Sequence, residues 1–227
     1  MNPSENLRHR SDLSKYLFHF TKGENPIDVI RSITEDKKLK SSTGVICFTE
    51  QPLIMCSEML AYMQQFPKPM YQPYGIGFKR DLMFRLGARP VIYGTAQEGS
   101  MLPPQFQWRF LELDPDAYDF SWLREWRLPF PEFDFSTLSK DDIILVGPSI
   151  QDEASVAFDP DYDVDFDYDS ATGTCIPRPY VCGASRSWRY ISLERVVNDK
   201  MNDYMVDAST YFEQHIGEDY DEAIGNV

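Results

Sequence analysis

Short strand-like runs separated by helical patterns of only a few turns constrain this chain more than any other feature. Tyr16-Leu17-Phe18-His19-Phe20-Thr21 alternates, with Tyr16, Phe18 and Phe20 on one face and Leu17, His19 and Thr21 on the other. Gly44 to Glu50 reads as a short buried strand, followed along the chain by Tyr74-Gly75-Ile76-Gly77-Phe78, Pro90 to Tyr93, Phe120 to Leu128 and Ile143 to Val146. Between the first two, Asn25 is a good N-cap with Pro26 at the first helical position and Asp28 at the third. A helix is predicted to about Asp36, burying Ile27, Ile30 and Ile33 or Thr34. Pro52 opens a second helix to about Phe66 with Leu53, Met59, Leu60 and Met63 inward, and Lys79 to Leu86 forms a brief one stopped by Gly87. Residues 96–104 read as a loop and Gln105 to Leu111 as helical. No strand–turn–helix junction carries the glycine fingerprint of a nucleotide-binding βαβ unit. The fold class expected is α+β, with a mixed, largely antiparallel sheet, flanking short helices and a C-terminal helix.

The chain has 227 residues, 42% of them hydrophobic and 14% aromatic, which is ample for a packed core. No run of about 18 apolar residues occurs, and Met1 to Arg10 lacks the apolar centre of a signal peptide, so a cytoplasmic protein without a membrane segment is expected. Cys47, Cys56, Cys175 and Cys182 fall at spacings unlike a zinc knuckle and are read as reduced thiols, with no metal site.

The net charge of −14 is unevenly placed. Residues 151–227 hold 5 basic and 17 acidic residues, whereas residues 1–150 are nearly balanced. The expected organisation is therefore a core over 1–150, an acidic extension over 151–190, and a C-terminal helix with an acidic tail over 191–227. The acidic third is disfavoured for direct nucleic-acid binding, because phosphate contacts need positive charge. From Phe158 to Asp169 every second residue is aspartate, which places the acids on one face and Tyr162, Val164, Phe166 and Tyr168 on the other. A calcium loop would need a central glycine and a closing glutamate, and both are missing. A charged edge strand or solvated loop, an acidic docking surface for a basic partner, and a metal site of another kind remain open. Ser192 to His215 reads as the clearest helix, through Leu193, Val197, Met201, Tyr204, Ala208 and Tyr211, with an acidic tail from Glu218.

Two stretches carry chemistry. Read as a strand, Phe120 to Leu128 puts Glu125 and Arg127 on one face and Trp122 and Trp126 on the core face. That arrangement suits a catalytic carboxylate on a rigid backbone, and equally a buried ion pair. In Tyr74-Gly75-Ile76-Gly77-Phe78 the glycines bare one face, either for a ligand or for close packing.

Four local sequences, Phe18-His19-Phe20-Thr21, Ile46-Cys47-Phe48-Thr49-Glu50-Gln51-Pro52-Leu53, Tyr74-Gly75-Ile76-Gly77-Phe78 and Arg124-Glu125-Trp126-Arg127, occur in an order that resembles the AbiGi family of bacterial abortive phage-infection proteins, described as antitoxins. The resemblance covers roughly residues 14–150. More distantly the layout is similar to the ADP-ribosyltransferase fold. That similarity implies a phage-defence protein acting on NAD, with Glu125 as the catalytic carboxylate, His19 and Thr21 holding NAD, and Tyr74 as the nicotinamide wall, a place for which Tyr71 and Tyr93 compete. Arg127 would bind a pyrophosphate oxygen or pair with Glu125. Enzymes of that class that modify arginine carry a second acid two residues before the glutamate. Here that position is Leu123, and no Ser-Thr-Ser element precedes it, so protein arginine is disfavoured as acceptor. The alternative is a non-catalytic antitoxin that binds a basic protein, such as a cognate toxin, through its acidic C-terminal third.

Overall fold

The computed structural model describes residues 12–117, 119–202, 205 and 206. Its strands in chain order are β1 (Tyr16–Phe20), β2 (Lys38–Lys40), β3 (Ile46–Thr49), β4 (Gly75–Lys79), β5 (Arg89–Pro90), β6 (Ile92–Gly94), β7 (Phe110–Glu112), β8 (Glu125–Leu128), β9 (Glu132–Asp134), β10 (Ile143–Gly147), β11 (Phe158–Asp169), β12 (Thr174–Arg186) and β13 (Tyr190–Ser192). A seven-stranded sheet runs β13-β10-β4-β1-β3-β8-β5, and β2/β9, β6/β7 and β11/β12 form separate pairs. Within the large sheet only β10 and β13 are parallel. The fold is α+β with a largely antiparallel sheet and short helices. Among the described residues, no helix is long and apolar enough to cross a membrane.

Alternation along the central strands feeds two cores. Leu17, Phe48, Ile76, Phe78 and Leu145 face one side, where Ile30 of the helix Pro26–Asp36 covers them. Tyr16, Phe18, Phe20, Ile144 and Val146 face the other, under Leu53 and Leu60 of the helix Leu53–Met63 and Leu193 and Val196 of the helix Leu193–Asn198. Each such large apolar side chain contributes about 1.5–3 kcal/mol when fully buried. Pro26 starts its helix as expected, although the Asn25 side chain makes no capping bond.

Several expectations change. The glycine stripe of β4 is filled from within. A β-carbon on Gly77 would lie 2.5 Å from Phe18 Cε1, and one on Gly75 would lie 2.8 Å from both the His19 carbonyl oxygen and Phe20 Cδ1. The glycines serve close packing. The strand expected over Phe120–Leu128 begins only at Glu125. Ser121–Leu123 is a 3₁₀ turn and Arg124 is left-handed at φ 45°, so Trp122 shares no strand face with Trp126. The stretch expected as a loop over 96–104 contains a helix, Ala96–Met101, with a reciprocal capping box between Thr95 and Glu98. Gln105 to Leu111 is a 3₁₀ helix, Pro104–Arg109, leading into β7, and Pro90 to Tyr93 splits between β5 and β6. The helix expected from Ser192 onward is interrupted: its first segment, Leu193–Asn198, has Val197 exposed and Val196 in the core with Met201, and Met205 and Val206 are helical again. Tyr204, Ala208, Tyr211 and the tail from Glu218 lie outside the described residues.

The aspartate-rich segment is not a lone edge strand. β11 pairs with β12 along its whole length, with a register shift at Asp161/Tyr162. At the base the Ser187 and Trp188 amides both donate to the Ala157 carbonyl. Beyond the hairpin, β13 returns to the edge of the large sheet beside β10.

Candidate functional site

β1 pairs with β4 along all five of its residues, but with β3 at one position, Phe18 opposite Thr49. Past that rung the two strands part, and the His19 imidazole bridges them, with Nδ1 2.8 Å from the Cys47 carbonyl oxygen. A carbonyl can only accept, so Nδ1 carries the proton. Loss of hydration lowers the His19 pKa below its ordinary value, with Lys22 adding to the effect and the Cys47 carbonyl opposing it. The ring is therefore neutral at pH 7 and offers Nε2 as an acceptor.

At this gap a small cleft of about 50 Å³ opens, lined among others by His19, Lys22, Cys47, Met59, Tyr71 and Glu125. Register places Phe18, Thr49, Glu125, Arg127 and Cys47 on one face of the sheet, because each is directly opposite or two residues from the next. His19 belongs to the other face, its ring 5.9 Å from that of Phe48. His19 and Glu125 thus meet at one cleft from opposite faces, through the gap. On the histidine side a wider groove of about 650 Å³ runs under the helix Pro26–Asp36 and shares His19, Phe20, Lys22 and Cys47 with the cleft.

Glu125 is only 9% exposed. Its Oε1 accepts from Arg127 Nε at 2.6 Å, and Arg127 Nη1 donates to the Trp108 and Phe110 carbonyls at 3.0 and 2.9 Å. The Glu125 amide donates to the Tyr93 hydroxyl, which in turn donates to the Phe120 carbonyl. Charge-assisted and backbone bonds thus hold the carboxylate from both sides. Desolvation first, then the Glu125 carboxylate beside it, pushes the pKa of the Cys47 thiol up to about 12. Tyr71 is raised to about 12 by the same two causes, burial first, and the Lys22 ammonium sits 5.1 Å from its ring centre.

Two other expected site residues do not line the small cleft. Thr21 borders the wider groove, is 2% exposed and donates its hydroxyl proton to the Tyr74 carbonyl. Tyr74 is buried in the core, where its hydroxyl donates to Asp152 at 2.7 Å. Tyr71, three residues earlier, lines the cleft instead, together with Phe18, Phe20 and Phe48. Cys47, which reads from the sequence as an ordinary reduced thiol, also lines the cleft and stands directly opposite Arg127. A second acid, the half-buried Glu50, has both oxygens occupied, one by Arg80 and one by the Trp126 indole, each at 2.8 Å. Comparison with family models, with curated proteins and with solved structures finds no match to this chain.

Proposed function

We propose that this chain is a phage-defence protein of the abortive-infection kind, with an ADP-ribosyltransferase-like fold and an NAD-cleaving site built on Glu125. The observation that carries the reading is the convergence of His19, Tyr71 and Glu125 on one cleft, where two strands of the sheet part. In that reading NAD enters as substrate. Its nicotinamide lies against Tyr71, and His19 Nε2 accepts a hydrogen bond from a ribose hydroxyl. The remainder of the dinucleotide extends toward the groove under the helix Pro26–Asp36. The C–N bond between ribose and nicotinamide breaks, its electron pair leaves with nicotinamide, and the ribose carbon becomes an oxocarbenium ion. The Glu125 carboxylate stabilises that charge until water or an acceptor nucleophile attacks. Arg127, already bonded to Glu125 and to two carbonyls, positions the acid and leaves the pyrophosphate to other groups. Leu123 in place of a second acid points away from protein arginine as acceptor.

The test is nicotinamide release and transfer of label from NAD to protein, DNA and RNA. Glu125→Gln should lower the rate about 10²–10³-fold, the usual effect of removing a group that stabilises developing charge. Tyr71→Ala should raise KM more than it lowers kcat. Protection of cells against phage should be lost with Glu125→Gln. Wild-type protein with no turnover, or a Glu125→Gln variant as active as wild type, would overturn the reading.

A further inference from the structure

We propose that the β11–β12 hairpin is a docking arm for a basic amphipathic helix of a partner protein, which lies along its apolar face. The inference is independent of the chemistry of the cleft. Val164, Phe166 and Tyr168 are 47%, 62% and 69% exposed, and Val181 on the paired strand is 59% exposed. They line one side of a two-stranded ribbon, and such a ribbon is marginal in water until something covers it.

The ribbon's edges are closed to another strand. On β12, Pro177 and Pro179 stand opposite Phe166 and Val164 and have no N–H to donate. On β11, the Val164 and Phe166 amides are taken by the Asp163 and Asp165 carboxylates, each at 2.8 Å. An added strand would find neither set of donors, so the occupant must lie on a face. Two strands make a face roughly 10 Å wide, the diameter of one α-helix, about 10–12 Å.

Charge sets the helix's chemistry. The bonds to Val164 and Phe166 bring the aspartate carboxylates round to the β11 edge, beside the apolar face. Aspartates two residues apart repeat every ~6.8 Å, close to the ~6 Å rise between lysines four apart on a helix. Of these aspartates, Asp167 pairs with Arg178 at 2.7 Å. Long lysine side chains on a helix seated over Phe166 can reach the others along the edge. A nucleic acid brings the wrong charge, and a second copy brings another −14.

The probe is a fluorescent amphipathic helical peptide of leucine and lysine, titrated into the full-length chain at about 150 mM salt. Phe166→Ser with Tyr168→Ser should weaken binding about tenfold or more, and so should Asp163→Asn with Asp165→Asn and Asp167→Asn. Glu112→Gln with Asp114→Asn and Asp116→Asn, an equal change of charge at another exposed stretch, should leave it unchanged. A urea midpoint equal to wild type shows that each variant is folded. The proposal is overturned if the peptide does not bind, if the charge-matched control loses as much, or if duplex DNA binds the hairpin. A self-association abolished by Phe166→Ser would overturn it too, by assigning the face to a second copy.

Discussion

The large sheet and the β11–β12 hairpin obey the same two-residue alternation, yet their side chains end in opposite environments. In the sheet, Tyr16, Leu17 and Phe18 are all buried, because helices lie over both faces. In the hairpin, Val164, Phe166 and Tyr168 stay in contact with solvent although they alternate just as regularly. Alternation therefore reports which side chains share a face. Whether that face is covered depends on a second apolar surface elsewhere in the chain, or in another molecule.

Truncation should separate the two regions most. Leu17→Ala should cost about 2–5 kcal/mol in urea unfolding, whereas Phe166→Ala should stay within about 0.5 kcal/mol. Equal costs would mean that the hairpin is packed like the sheet. Glycine substitution repeats the contrast on a smaller scale. Gly77→Ala drives a methyl into the Phe18 ring and should cost about 1–3 kcal/mol. At Gly183 the nearest atom to an added β-carbon is Asp161 Oδ2 at 3.6 Å, so Gly183→Ala should be close to neutral by the same measurement.

A pH titration tests the gap itself. His19 has a folded pKa below the ordinary 6.5, so the unfolded chain takes up its proton first as pH falls. Stability should be full above about pH 6.5 and decline as pH drops through the folded value, and His19→Gln should flatten that decline. The smallest effect concerns thiols. With a pKa of about 12, Cys47 should react with iodoacetamide at neutral pH more slowly than an unperturbed thiol, and Glu125→Gln should speed it by removing the charge that suppresses the thiolate. Mass-spectrometric mapping of the alkylated cysteines reads both rates.

What could be read from the sequence was what neighbouring residues decide among themselves. The pairing of Glu125 with Arg127 follows from strand period, and the helices at Pro26 and after Pro52 follow from proline at a helix start and the apolar spacing behind it. The capping box Thr95-Ala96-Gln97-Glu98 was equally legible and would have located the helix there. Other features depend on distant partners. Arg124 adopts a left-handed conformation that nothing in its own type favours, in a stretch held by the Glu50 amide on its carbonyl and by the Thr49 hydroxyl on the Leu123 carbonyl. Tyr74 is drawn into the core by Asp152, and Tyr71 inherits the cleft from a proline-rich loop without periodicity. That His19 and Glu125 belong to opposite faces became visible only with the register of β1 on β3.

That single rung at Phe18 and Thr49 gives the sheet a seam. On one side lies the plate β13-β10-β4-β1, and on the other β3-β8-β5. Beyond the rung the seam is latched by an imidazole instead of by backbone. The width of the opening between the plates is then governed by one hydrogen bond, from His19 to the Cys47 carbonyl, and whatever engages that ring also acts on the latch.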